Sequence, residues 1–212
     1  MQSSDNYEAV EFIPILKTDF VMKTNLDYEL CEKLISIASD KLEDNIQDNL
    51  EDIKRTGWHL QKDPDMDSLL QQVTSKVEHC ISTRINFPHF HKNKPDAMKK
   101  NGMQFVIAMY NAWVGFYKNN SFVHPHCHAE AANFYSIAAY LSTGNKNTSL
   151  YFMTDESPSY GINRLKIICK TGDMIIFPSN LYHYTNDTSD ERIVLSGNIY
   201  AGFMPQMIIG GK

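Results

Sequence analysis

The sequence predicts an α+β fold, a β-sandwich or barrel with helices packed on one outer face. Three observations carry that expectation. Two amphipathic helical patterns occupy the first part of the chain, about eight short apolar segments rich in β-branched and aromatic residues fill the last part, and no repeat or low-complexity tract separates them. Helices first and strands after is the order of a fold whose helices cover one face of an antiparallel sheet. The 212 residues, 42% hydrophobic and 11% aromatic, suffice for one core. One domain, 1–212, is therefore expected, with a helical part over about 1–86, a loop over 87–103 and a β core over about 104–203.

The first helical run begins at Asn25. LDYELCEKLISIASDKL sets Leu26, Leu30, Leu34, Ile37 and Leu42 at helical spacing, and Thr24 or Asn25 stands ready to accept from the free N–H groups at its start. The second runs from about Asp65 to Ile81, with Leu69, Leu70, Val73, Val77 and Ile81 as its stripe and Pro64 near its first turn. The segment around Gly57 and Trp58 between them reads as extended. FPHFHKNKPDAMKKNG, residues 87–102, combines two prolines with lysines and little periodicity, which describes a surface loop. The strands follow: QFVIAMYNAWVGFY, SFVHPH, FYSIAAYL, TSLYFM, LKIIC, MIIFP, a short piece around Tyr182, and RIVLSGNIYAGF. Turn residues separate them, as in Lys118-Asn119-Asn120, Gly144 to Asn147, Thr171-Gly172-Asp173 and Asn186-Asp187.

Composition excludes several classes. With 20 basic and 25 acidic residues the formal net charge is −5, which opposes a cationic nucleic-acid binder, and a charged fraction of 21% opposes a disordered chain. No apolar run reaches the roughly 18 to 20 residues of a membrane span. MQSSDNYEAVEF lacks the charged-then-apolar order of a signal peptide, so a cytoplasmic location without a membrane partner is expected. Cys31, Cys80, Cys127 and Cys169 form no C-x-x-C pair and read as reduced, mostly buried thiols.

The chemistry is carried by histidines. Three fall in His124-Pro125-His126-Cys127-His128, and another, His183, lies in FPSNLYHYTND. Alternate side chains of a strand share a face, so His126 and His128 can aim at one point, where imidazole nitrogens bind Fe, Zn, Ni or Cu. His183 is the natural third ligand of such a three-point site. An isolated H-x-H pair is common on surface strands and carries little weight alone. His89-Phe90-His91, beside Pro88 in the lysine-rich loop and without a later partner, reads as such a pair.

What distinguishes the pair at 126 and 128 is the later segment, Gly172-Asp173 through Pro178 to His183, followed nine residues on by Arg192 and the strand Arg192 to Asn198. Together with HPHCH, this pattern resembles the Fe(II)/2-oxoglutarate-dependent oxygenases. It is most similar to a branch with an H-x-H first pair, an Asn-x-Trp strand (here Asn111-Ala112-Trp113) and a Ser-x-x-x-Tyr strand (Ser136 to Tyr140). The resemblance spans about residues 104–200. It implies a double-stranded β-helix, the jelly-roll barrel shared with cupins, with Fe(II) held by His126, His128 and His183. It also implies 2-oxoglutarate and O2 as cosubstrates, with Arg192 binding the far carboxylate and hydroxylation of a primary substrate that the sequence does not identify. A planar, permanently charged guanidinium suits that role because it pairs bidentately with a carboxylate. Ser196, on the same strand face, and Tyr140, which resembles the family tyrosine at this end of the cosubstrate, complete the expected binding set.

One departure stands out: with His128 as ligand the usual carboxylate is missing. His128-Ala129-Glu130 offers an alternative in which Glu130 restores two histidines and one carboxylate. The aromatic residues Trp113, Phe116, Tyr117, Phe134, Tyr135 and Phe177 are candidates for the pocket walls. Two other readings remain: a metal-binding cupin, whose second motif Gly172 to His183 also resembles, and a non-catalytic module on the same scaffold.

Overall fold

The computed structural model describes residues 11–14, 20–42, 53–84, 103–118, 120–128, 135–144, 148–153, 164–185 and 191–205. The lysine-rich loop, His89, His91, Glu130, Phe134 and the turn at Asn186-Asp187 lie outside them. Two strands absent from the sequence reading come first, β1 (Glu11–Pro14) and β2 (Phe20–Asn25). Helix α1 then runs Tyr28–Ser39. Its start corrects the expectation. Thr24 and Asn25 belong to β2, where they pair with Met174 and Asp173, and the Leu26 N–H is taken by the Gly172 carbonyl at 2.7 Å. Sheet partners thus claim the backbone that a helix would need, and Asp27 becomes the cap position, without a side-chain bond to the helix.

The extended piece between the helices is β3 (Ile53–Arg55), which ends before the expected Gly57 and Trp58, where the chain turns, and a single 3-10 turn, Leu60–Lys62, leads into α2 (Pro64–Arg84). Pro64 opens α2, where the missing N–H costs nothing, and the Asp65 N–H is accepted by Asp63 Oδ1 at 2.9 Å. The eight strands expected after the helices are present: β4 (Met103–Tyr117), β5 (Val123–His126), β6 (Tyr135–Ser142), β7 (Thr148–Met153), β8 (Arg164–Cys169), β9 (Asp173–Pro178), β10 (His183–Thr185) and β11 (Arg192–Pro205).

They form two sheets of antiparallel neighbours. One has the order β1-β2-β9-β6-β11-β4-β3 and the other β5-β10-β7-β8. Strand alternation then divides the apolar residues of the larger sheet between two cores. Met22, Ile137, Ala139, Leu141, Met174, Ile176 and Leu195 join Leu30, Leu34, Leu70, Val73 and Val77 of the helices. Their sequence neighbours Val21, Ala138, Tyr140, Ile175, Phe177 and Val194 face the other way, onto Leu150, Phe152, Ile167 and Cys169 of the smaller sheet. The order of layers is therefore helices, large sheet, small sheet. Gly172, at φ 90°, makes the β8–β9 turn in a left-handed conformation that suits glycine, and its N–H donates to the Tyr140 carbonyl at 2.8 Å. Among the described residues no helix is long and apolar enough to cross a membrane.

Candidate metal centre and its pocket

His126 closes β5 and His183 opens β10, and the two are direct partners across that strand pair. His128 lies two residues beyond the end of β5, so strand period alone does not aim it. Its N–H donates to the Ser179 carbonyl at 2.7 Å, which ties the chain after β5 to the turn after β9. The result brings all three expected ligands together: one ring nitrogen from each lies within 4.8 Å of the others. Ring centroids are 4.3 Å apart for His126 and His183, 5.0 Å for His126 and His128, and 5.1 Å for His128 and His183.

Hydrogen bonding fixes which nitrogen each ring offers. Nδ1 of His126 meets the His124 carbonyl at 2.8 Å, and Nδ1 of His183 meets the Leu181 carbonyl at 3.0 Å. Nδ1 of His128 meets the amide oxygen of Asn198 at 2.7 Å. Each of those oxygens only accepts, so each Nδ1 carries the proton and each Nε2 keeps its lone pair. The Asn198 oxygen also accepts from Ser136 Oγ at 2.8 Å, and Ser136 in turn meets Ser179 Oγ at 3.0 Å. This buried chain of small polar groups braces the one histidine of the cluster that no strand holds. His183 is 6% exposed, and burial, with His126 beside it, lowers its pKa to about 3, so its imidazole stays neutral as ligation requires. Three imidazole ligands fit a divalent Fe, Ni, Cu or Zn ion.

On the same inner face, β11 presents Arg192, Val194, Ser196 and Asn198 at period two. Arg192 is 2% exposed. Its guanidinium donates to the Ser121 carbonyl at 3.2 Å and to Thr185 Oγ1 at 3.0 Å, and it lies 4.4 Å over the Tyr117 ring. Burial draws its pKa below the ordinary guanidinium value, an effect opposed by Tyr117 and Tyr140. Tyr140 is fully buried, and desolvation, with Cys169 next to it, pushes its phenol far upward, so it remains a donor.

Tyr140, Arg192, Ser196 and the three histidines line one pocket of about 630 Å³. All six expected site residues thus share a cavity. Of the expected aromatic walls, Trp113, Tyr117 and Phe177 line it, whereas Phe116 and Tyr135 pack against the helix-side core. Phe116 points away because it alternates with Tyr117 on β4. The sequence reading missed Asn198, although its period-two relation to Arg192 and Ser196 was a usable signal. It also gave no role to Arg55 and Trp58, which reach the pocket from a segment with no pattern of its own. Cys31, Cys80 and Cys169 are buried free thiols, and Cys127 is half-buried in the pocket wall.

No family model and no curated protein matches the sequence. Solved structures do match the fold. A prolyl-4-hydroxylase from Pseudomonas putida superposes with a TM-score of 0.57 at 14% identity, covering 86% of this chain and 93% of its own. The non-heme alpha-ketoglutarate-dependent epimerase SnoN of nogalamycin biosynthesis gives 0.60 at 12% identity, over 91% and 84%. HygX from Streptomyces hygroscopicus, crystallised with nickel and 2-oxoglutarate, gives 0.58 at 9% identity, over 85% and 82%. The chain shares its fold with 2-oxoglutarate–Fe(II) oxygenases.

Proposed function

We propose that this chain is an Fe(II)- and 2-oxoglutarate-dependent dioxygenase that hydroxylates a primary substrate with release of succinate and CO2. The single observation that carries this reading is the convergence of one ring nitrogen from each of His126, His128 and His183 in the same pocket as a buried guanidinium, Arg192. The strand order β9-β6-β11-β4 against β5-β10-β7-β8 supports a double-stranded β-helix, since β4 to β11 pass repeatedly between the two sheets. A single catalytic domain in the cytoplasm fits the four free thiols.

In this reading His126, His128 and His183 hold the iron, which when bound supplies the oxidative chemistry with O2 and 2-oxoglutarate. Arg192 receives the far carboxylate of 2-oxoglutarate as a planar fork, in a site dry enough for the charge pair to be strong. Ser121 and Thr185 keep that fork in place, and Tyr117 supports it from below. Tyr140 and Ser196 add hydroxyl donors at the same end. Phe177, with its ring 4.6 Å from that of His183, shields the ligand from water.

The test is anaerobic mixing with Fe(II) and 2-oxoglutarate, read as a visible charge-transfer band, followed by succinate assay on admitting air. His126→Ala and His183→Ala are expected to abolish iron binding, whereas Arg192→Ala spares iron and weakens 2-oxoglutarate. Glu130→Gln should retain iron, and its loss would assign Glu130 to the ligand set. Iron binding without a 2-oxoglutarate-dependent band would instead indicate a cupin-type metal site.

A further inference from the structure

The outer face of the small sheet differs in charge from the chain as a whole. Strands β5, β7, β8 and β10 contain no Asp or Glu, in a protein of net charge −5. Leu150, Phe152, Ile167 and Cys169 point into the core between the sheets, so their neighbours along β7 and β8 point outward. On β8, the terminal strand of the sheet, those neighbours are Arg164, Lys166 and Ile168. Lys170, one position past its end, continues the alternation, and all four residues are exposed. Alternate residues of a strand stand roughly 6.6–6.8 Å apart, which makes this a row of about 20 Å.

None of the three cations is in an ion pair; Arg164 and Lys166 lean over the rings of Tyr184 and Tyr151, at 5.7 and 5.9 Å. Asp173, three residues beyond Lys170, is fully buried and faces Lys23 at 2.9 Å. Its Oδ2 also accepts the Lys170 N–H at 2.9 Å, which fixes the backbone at this end of the row while Lys170 itself remains exposed. Charges of this kind commonly blunt a terminal strand against pairing. An isoleucine 55% exposed in their midst works against that purpose and suits contact with an apolar side chain. The face is held together across three strands, where Tyr184 pairs with Tyr151 and Tyr151 with Lys166. The two tyrosine rings stack at 5.1 Å and 17°, and Tyr184 is buried. These rings are engaged by each other and by the cations, which leaves a nucleobase no platform on which to stack.

We propose that this row is a docking surface for an acidic peptide segment in extended conformation. Side chains on one face of an extended peptide repeat at the same spacing as those of β8. Carboxylates at alternate positions meet Arg164, Lys166 and Lys170, and an apolar side chain among them covers Ile168, so charge complementarity selects the partner and sets its register. The row lies across the small sheet from the histidine pocket, and the docking stands apart from any chemistry there.

The full chain is titrated against three fluorescein-labelled decapeptides, alternating Glu-Val, Glu-Gly and Lys-Val, and against labelled decathymidylate, with anisotropy as the readout. Glu-Val is expected to bind tenfold or more tighter than Lys-Val and decathymidylate, and added salt should weaken it. Lys166→Glu should cost tenfold or more and Arg164→Gln a smaller loss. Lys54→Glu, an equal change of net charge at an exposed position of β3, should leave the affinity unchanged. Ile168→Ser should weaken Glu-Val severalfold and spare Glu-Gly. The altered side chains are all exposed, so melting temperatures close to wild type are expected, and if Lys166→Glu melts early, Arg164→Gln decides. Equal binding of Glu-Val and Lys-Val, decathymidylate binding as tight as Glu-Val, or wild-type affinity in Arg164→Gln overturns the proposal. Equal losses in Lys166→Glu and Lys54→Glu, or an Ile168→Ser effect common to both acidic peptides, overturn it as well.

Discussion

Asn198 occupies the position behind His128 that a carboxylate or carbonyl often takes behind a metal-bound imidazole. Its oxygen accepts from both the imidazole and Ser136, so Asn198→Leu should release the ring and weaken Ni(II) binding roughly 10–100-fold. Asn198→Asp, which keeps the acceptor, should retain most of that affinity, and titration calorimetry on both variants separates positioning from general damage. His183 gives a pH effect whose sign follows from burial. Its folded pKa is about 3 and its ordinary value 6.5, so below pH 6.5 the unfolded chain takes up a proton that the folded protein refuses. The metal-free protein should lose stability as pH falls from 6.5 toward 3, with no contribution from this residue above that window. Urea unfolding across the range should show a flatter profile for His183→Gln. The histidine cluster was legible in the sequence because two of its members are near neighbours and the third announces itself in a turn–strand–proline–histidine run. The Asn198–His128 bond was not, since its partners are 70 positions apart and only the return of β11 beside β6 brings them together.

At the scale of elements, the pairing of β3 with β4 sets Arg55 beside the strand that carries Trp113 and Tyr117. Gly115 pairs with Arg55 across these strands, and a Cβ at Gly115 would come within 2.7 Å of the Tyr117 ring. Gly115→Ala should therefore leave the sheet formed, displace Tyr117 from beneath Arg192 and weaken 2-oxoglutarate more than Ni(II), as parallel titrations would show. Strands β4 to β11 could be read from composition because alternation and turn residues mark each one. The α1 boundary could not. Helical periodicity runs back to Leu26, but the N–H of that residue is already bonded to the turn before β9, a contact between distant parts of the chain that local pattern does not record.

For the whole molecule, the two cores have separate duties. The core between helices and large sheet holds the scaffold, and the core between the sheets also walls the histidine cluster. Leu34→Ala in the first should cost about 2–5 kcal/mol of stability and leave the Ni(II) affinity of the folded protein unchanged. Phe177→Ala in the second should cost a similar amount, about 3–5 kcal/mol, and also loosen His183, lowering Ni(II) affinity. Chemical denaturation with parallel metal titration distinguishes the two outcomes. The order of layers was readable from the sequence of helices and strands, but the presence of β1 and β2 was not, because β1 pairs with β2 alone and the strand that joins β2 to the sheet, β9, lies late in the chain.

The cross-strand pairing of His126 with His183 would make an ion bound there a staple between strands. It fastens the edge of the small sheet to the three-residue β10 and closes the intervening chain, β6 through β9, into a tethered loop. Withdrawing the ion returns configurational freedom to that loop, so chelation should lower the melting temperature and hasten amide exchange in β5 before any other strand of the sheet opens.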